Sequence, residues 1–166
     1  MSAPFTEPDP AECSAFNRVF YRNRRPTWVG HWVSQFFCWW ARVGLPPRSW
    51  FALGVRDRVS GRMRTDAVVV ATVAGERYIV SMFGTISDWV HNIEASRGDA
   101  VLSHRGSQRV RLVLVPPGER APILREYVRV ASSGRKHFPL PVGAPLADFA
   151  AIGAEYPVYR IEVPAA

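Results

Sequence analysis

The stretch Arg58-Val59-Ser60-Gly61-Arg62-Met63-Arg64, continuing through Thr65 to Gly106, decides how the rest of the chain is read. Its first seven residues set three arginines around a Ser-Gly turn. Guanidinium groups are permanently charged forks that match phosphate oxygens, and glycine lets backbone approach an anion closely. After the loop, Val68-Val69-Val70-Ala71-Thr72-Val73, the turn Ala74-Gly75-Glu76 and Arg77-Tyr78-Ile79-Val80 have the composition of a β-hairpin. A helix is expected from about Ser87 to Ser96, with Ser87 as its cap, through Asp88-Trp89-Val90-His91-Asn92-Ile93-Glu94-Ala95. Together these segments describe a phosphate-gripping loop beside a small β-barrel, with one helix across a cleft.

The flanks extend that reading. Trp50-Phe51-Ala52-Leu53-Gly54-Val55 is a short apolar run suited to a strand, and Ala100 to His104 pairs with Arg109 to Val115 across Arg105-Gly106-Ser107. Between Arg109 and Val115 arginines alternate with apolar residues, as on a strand with one wet face. Glu119 to Ala131 has helical spacing, a basic and aromatic loop follows from Ser132 to Pro141, and a helical turn near Leu146 to Ile152 leads to a closing strand, Val158 to Val163. Six strands with short turns and few helices suggest a closed or split β-barrel, a mainly β (α+β) fold.

Upstream, residues 1–26 are expected to be loosely ordered, acidic and proline-rich first and arginine-rich later. Residues 27–45 are expected to form an amphipathic helix with Trp28, Trp32, Phe36, Phe37, Trp39 and Trp40 on one half of its wheel. That face suits packing on the domain's own sheet, a membrane surface contacted through residues 27–43, or a dimer interface. Residues 46–166 are then expected to form the split-barrel domain.

Composition narrows the function classes. The 166 residues carry a net charge of +7, nearly all of it arginine, since Lys136 is the one lysine. Such a field favours an anionic partner. Cys13 and Cys38 form no framework, and no Cys/His spacing suits a metal. There is neither a secretory signal nor a membrane-spanning run, so a cytoplasmic location is expected, with peripheral contact at the inner face of the plasma membrane through the aromatic helix.

The loop from Arg58 to Arg64, the hairpin through Gly75 and the Trp89 helix together resemble the deazaflavin-dependent nitroreductase family. These are split-barrel oxidoreductases of actinobacterial type, of the FMN-binding or flavin-reductase-like kind, that use the reduced deazaflavin coenzyme F-420. Arg58, Ser60, Gly61 and Arg64 match the family's basic loop, while Trp89, Asn92 and Ala95 match its helix; the resemblance covers residues 45–115. Three departures stand out: Asp57 where the family has glycine, Val59 where it often has lysine, and Met82-Phe83-Gly84-Thr85 in place of the turn that approaches the cofactor.

The resemblance implies hydride transfer from the reduced coenzyme to a hydrophobic acceptor of quinone or nitroaromatic type. It implies cofactor binding by Arg58, Ser60, Gly61, Arg62, Arg64, Met82, Gly84, Trp89 and Asn92. A proton donor would come from Tyr78, Tyr127, His137, Tyr156 or solvent. The departures leave open an FMN-using split-barrel reductase or a flavin-binding carrier. The charge also allows a non-enzymatic module for anionic lipid or nucleic acid, although no recognition helix or stacking platform for nucleic acid is present and no nucleic-acid partner is expected. Oligomeric state is left open.

Overall fold

The computed structural model describes Tyr21–Arg22, Arg25–Pro26, residues 39–40, 48–132 and 134–164. The expected helix over residues 27–45 lies outside them, apart from Trp39 and Trp40, which are helical. A two-residue antiparallel pairing joins Tyr21–Arg22 to Arg25–Pro26.

The body of the molecule is a closed six-stranded antiparallel barrel. Its strands are β1 (Trp50–Arg56), β2 (Met63–Val73), β3 (Glu76–Val80), β4 (Asp99–Ser103), β5 (Ser107–Leu114) and β6 (Val158–Glu162). Their order around the wall is β1-β2-β3-β6-β5-β4, and the ring closes where Ala52, Leu53 and Gly54 pair with Ser103, Leu102 and Val101. The expected split β-barrel is thus the observed fold. Helices described alongside it include α1 (Asp88–Ala95), α2 (Ala121–Val130) and α3 (Leu146–Ala151).

Alternation along the strands sorts the apolar residues into two cores. Leu53, Val55, Val68, Val70, Ile79, Leu102, Val110, Leu112, Tyr159 and Ile161 point into the barrel. Helix α1 stoppers that interior with Val90 and Ile93, three residues apart on one helix face and each 1% exposed. A second core forms on the outside, where α2 and α3 lay Ile123, Leu124, Tyr127, Val128 and Phe149 against Ala71, Val80 and Val158. Each fully buried Leu or Ile in these clusters contributes about 1.5–3 kcal/mol.

The two cores explain two kinds of strand sequence. β2 is covered on both faces over its second half, so Val68-Val69-Val70-Ala71 reads as an unbroken apolar run. β5 is covered only inside, so exposed Arg109 and Arg111 alternate with buried Val110 and Leu112. The arginine alternation visible in the sequence therefore marks the bare part of the wall.

Candidate functional site

The basic loop is the hairpin between β1 and β2. Asp57 N–H donates to the Arg62 carbonyl at 2.8 Å and Gly61 N–H donates to the Asp57 carbonyl at 2.9 Å, which closes a four-residue loop over Arg58–Gly61. Gly61 has φ +69°, a left-handed conformation that glycine adopts without a Cβ penalty.

Inside that loop the Asp57 carboxylate is the organising group. Its Oδ1 accepts from Val59 N–H at 3.2 Å, Ser60 N–H at 2.7 Å and the Ser60 hydroxyl at 2.7 Å. Its Oδ2 pairs with Arg64 Nε at 3.1 Å. Asp57 is buried, at 7% exposure. The Ser60 backbone and side-chain hydrogen bonds, then Arg64, hold its carboxyl below the usual carboxylate range against the opposing effect of burial.

A second set of contacts ties the loop to α1. The Asn92 side chain, 1% exposed, accepts from Arg58 N–H at 3.1 Å and from Arg58 Nη1 at 3.0 Å, both on Oδ1. Arg58 Nη2 also lies 3.6 Å from Asp88 Oδ1 at the start of the helix. The two sequence segments that carry the resemblance are therefore in direct contact. Trp89, the next residue of α1, is half-buried and meets Tyr159 edge-on with ring centroids 5.6 Å apart. Ser87 occupies the expected N-cap position, but its hydroxyl does not cap the helix; it pairs with the Ser81 hydroxyl at 2.9 Å. That pairing competes with capping and fixes the 81–87 turn instead.

The remaining expected cofactor residues fall into a neighbouring group. Ser81 N–H donates to the Pro157 carbonyl at 2.9 Å and its hydroxyl donates to the Gly84 carbonyl at 2.7 Å, which runs residues 81–84 alongside 155–157. At Gly84, φ is +66° and a Cβ would stand 3.0 Å from the Glu155 carbonyl oxygen, so a side chain there is strained twice over. Met82 packs against the outer core. Thus Arg58, Ser60, Gly61, Arg62, Arg64, Asn92 and Trp89 share the loop-and-helix junction, whereas Met82 and Gly84 belong to the adjoining turn.

Among the proton-donor candidates, Tyr127 and Tyr156 both meet the Phe138 ring, whereas Tyr78 is engaged with Glu76. Tyr78 donates its hydroxyl to Glu76 Oε2 at 2.6 Å, a bond that raises its pKa. Tyr127 is buried beneath the outer core, and burial pushes its phenol far above its ordinary value. Tyr156 is half-buried and stacks on Phe138 with centroids 4.3 Å apart; burial raises its pKa too. His137 lies in the Gly134–His137 turn. All three phenols are protonated at neutral pH.

Three features of the molecule go beyond the expected residue set. Asp57 is one; its local signal is the Asp-x-x-Ser spacing, in which an aspartate side chain bonds backbone two and three residues on. Arg120 is another, 4% exposed, with Nε donating to the Val115 carbonyl at 2.8 Å and Nη1 to the Gly153 and Tyr156 carbonyls at 2.9 and 3.2 Å. Third is the Tyr159 hydroxyl, buried inside the barrel with no hydrogen-bond partner among the described residues. A groove of about 360 Å³ also opens at the β2–β3 turn between Gly75, Glu76, Arg77 and Arg160 to Glu162. Within it Arg160 pairs with Glu162 at 2.7 Å and with Glu76 at 4.0 Å, and no expected site residue lines it, so the loop-and-helix junction is the stronger candidate. No helix among the described residues is long and apolar enough to cross a membrane.

No protein-family model matches the chain, and neither does any curated protein sequence. Solved structures do match. A protein of unknown function from Agrobacterium tumefaciens superposes with a TM-score of 0.52 at 15% identity, covering 70% of this chain and 49% of its own. This chain therefore spans about half of that protein's length. An F-420-H2 dependent reductase (FDR-A) matches at TM-score 0.46 and 16% identity, covering 69% of this chain and 95% of its own. A NimC/NimA family protein from Clostridium acetobutylicum matches at TM-score 0.45 and 11% identity, covering 71% and 79%. At 15% identity the likeness to the Agrobacterium tumefaciens protein supports the fold and says nothing of its chemistry.

Proposed function

We propose that the chain is an oxidoreductase that uses the reduced deazaflavin coenzyme F-420 to reduce a hydrophobic acceptor of quinone or nitroaromatic type. One observation carries the reading: Arg58 joins the basic loop to Asn92 of α1, so the two segments that resemble the deazaflavin-dependent nitroreductases form one junction.

The residues fit the coenzyme's anionic part. Arg62 is exposed and its guanidinium has no ion pair among the described residues. Arg58 and Arg64 hold their places through one edge each and remain 37% and 59% exposed, so each keeps N–H groups for a phosphodiester or an oligoglutamate tail. When bound, the coenzyme supplies a hydride, which leaves binding, orientation and water exclusion to the protein. Trp89 offers an apolar wall beside the junction. Tyr156 is the best-supported proton donor, since its segment runs beside Met82 to Gly84 and its hydroxyl is bound to no other described residue. The hydroxyl of Tyr78 already donates to Glu76, and Tyr127 is sealed in the outer core.

Fluorescence titration with the oxidised coenzyme tests the reading. Saturable binding at micromolar concentration, weakened about tenfold or more by Arg62→Ala, is the expected result. Protein that is colourless and binds no deazaflavin would overturn it. Protein purified yellow, with a flavin absorbance maximum, would transfer the barrel to FMN chemistry.

A further inference from the structure

We propose that Asp57 is a built-in counter-anion that fills the anion seat of the basic loop, so that a phosphate group is received on the outer guanidinium edges of Arg62 and Arg64 and not on the loop's backbone amides. The inference rests on the functional reading above for its ligand class, a phosphodiester, and makes Asp57 a specificity-determining residue of that same site.

The contacts of Asp57 are those that an oxyanion would make. Two consecutive backbone N–H groups, Val59 and Ser60, converge on Oδ1 together with the Ser60 hydroxyl, at 3.2, 2.7 and 2.7 Å. An arginine flanks the other oxygen at 3.1 Å. Successive amides, a hydroxyl and a guanidinium around one oxygen pair make the donor set of a phosphate-binding nest. Here the chain's own carboxylate occupies it. The group is 7% exposed and stays ionised at neutral pH, since its hydrogen bonds favour the charged form. An incoming phosphate would have to displace four donors from a carboxylate already held in place by the chain.

The outer side of the loop remains open. Arg62 N–H lies 3.4 Å from the Ser60 hydroxyl oxygen, which ties its backbone to the turn while the side chain stays exposed. Arg64 is held at Nε alone, leaving both terminal nitrogens. A phosphate bridging these two forks meets only side-chain donors. Such a site accepts a range of phosphate orientations, and its affinity falls with salt more steeply than a buried backbone nest would.

Substitution at Asp57 separates an occupied seat from a simple charge effect. Asp57→Asn removes the charge and keeps an oxygen to fill the seat; Asp57→Ala removes the charge and empties it. Inorganic phosphate is titrated into the wild-type chain and both variants, with backbone amide chemical shifts of Val59 and Ser60 as the readout and a thermal melt as the check on folding. The expected result is that these amides do not respond in the wild type or in Asp57→Asn, and that Asp57→Ala binds phosphate about tenfold more tightly with both amides shifting. Saturable shifts of both amides in the wild type would overturn the inference, and that measurement stands even where Asp57→Ala fails to fold. Equal gains in both variants would reduce Asp57 to a charge, and no gain in either would reduce it to a turn former; each overturns the inference. Loss of coenzyme binding in all three proteins, with these phosphate shifts intact, would reject the deazaflavin reading and leave the occupied seat standing.

Discussion

The clamp around Arg120 and the loop around Arg58 are each built on an arginine, under opposite conditions. Arg120 is buried, pairs with no carboxylate among the described residues, and gives its N–H groups to three backbone carbonyls, one nearby at Val115 and two on the distant segment Gly153–Tyr156. Burial lowers its pKa, yet it has ample margin to remain charged. Arg58 is exposed at the rim and shares its donors between an amide oxygen and a loosely placed carboxylate. The first uses its fork to satisfy main chain that would otherwise be buried without partners, which is structural work. The second keeps donors in hand, as a binding residue must. Number of partners and burial, more than the residue type, separate the two roles.

That contrast can be broken most readily at the clamp. Arg120→Met is expected to cost about 3–5 kcal/mol, because the Val115, Gly153 and Tyr156 carbonyls lose their donor in a buried site. A thermal melt lowered by about 10 °C would report it. Arg120→Lys should recover little, since a single ammonium cannot span carbonyls that a fork reaches. A loss under about 1 kcal/mol in chemical denaturation would show that these loops are held by something else.

Next in size is Asn92→Ala, with an expected loss of about 1–3 kcal/mol, as the Arg58 N–H and Nη1 lose their acceptor against a buried helix face. Coenzyme affinity should fall with it, because Arg58 is no longer anchored. An unchanged melt with unchanged affinity would separate the loop from the helix and remove the junction.

Tyr159→Phe should be smaller still and of opposite character. Its hydroxyl is buried without a partner among the described residues, so removing it is expected to change stability by less than about 1 kcal/mol, neutral or upward. Burial pushes this phenol up to about 12. Since its folded value lies above its unfolded one, the neutral phenol's contribution is whole below about pH 10 and is lost as pH rises through the folded value. Absorbance at 295 nm or so, followed to high pH, should show one tyrosine fewer ionising late in Tyr159→Phe. A clear destabilisation would mean that the hydroxyl has a hydrogen-bonded partner, such as an internal water.

The smallest stability change is expected at the rim itself. Arg62→Ala should alter the melt by under about 0.5 kcal/mol while weakening coenzyme binding, the reverse of the pattern at Arg120. On the acid side, Asp57 has its folded pKa below the ordinary value, so its contribution is complete above about pH 4 and disappears as pH falls through the folded value. Asp57→Asn should flatten the stability profile in that window and lower stability by a constant amount above it, neutral pH included.

The barrel was legible in the sequence for a physical reason: the period-2 signal is strong wherever one face is dry. Val110 and Leu112 between Arg109 and Arg111 show it plainly. So does α1, whose Val90 and Ile93 fall on the face turned into the barrel. The site was legible only as a list of residue types. Charge counting sees arginines but not what they touch, and so it does not show that Asp57 holds Arg64. Arg120 passed unnoticed because its partners are carbonyls 5, 33 and 36 residues away, which leave no imprint on composition. The resemblance adds Met82 and Gly84 to the cofactor-binding set as part of a separate turn, and the backbone places that turn beside Glu155.

The place of β6 in the ring has a consequence for how the molecule comes into being. Residues 78–80 and 111–114 flank this strand on either side, although both precede it by dozens of positions in the chain. Without residues 158–162 the other five strands would leave a slot in the ring, and its two walls would present unpaired amides and carbonyls. Ring closure is therefore a late, non-local step of assembly. A strand of the same sequence from another copy fits that slot as well as the chain's own, so crowded synthesis should favour exchange of this segment between copies, and a short peptide spanning it should rescue a chain truncated after residue 157.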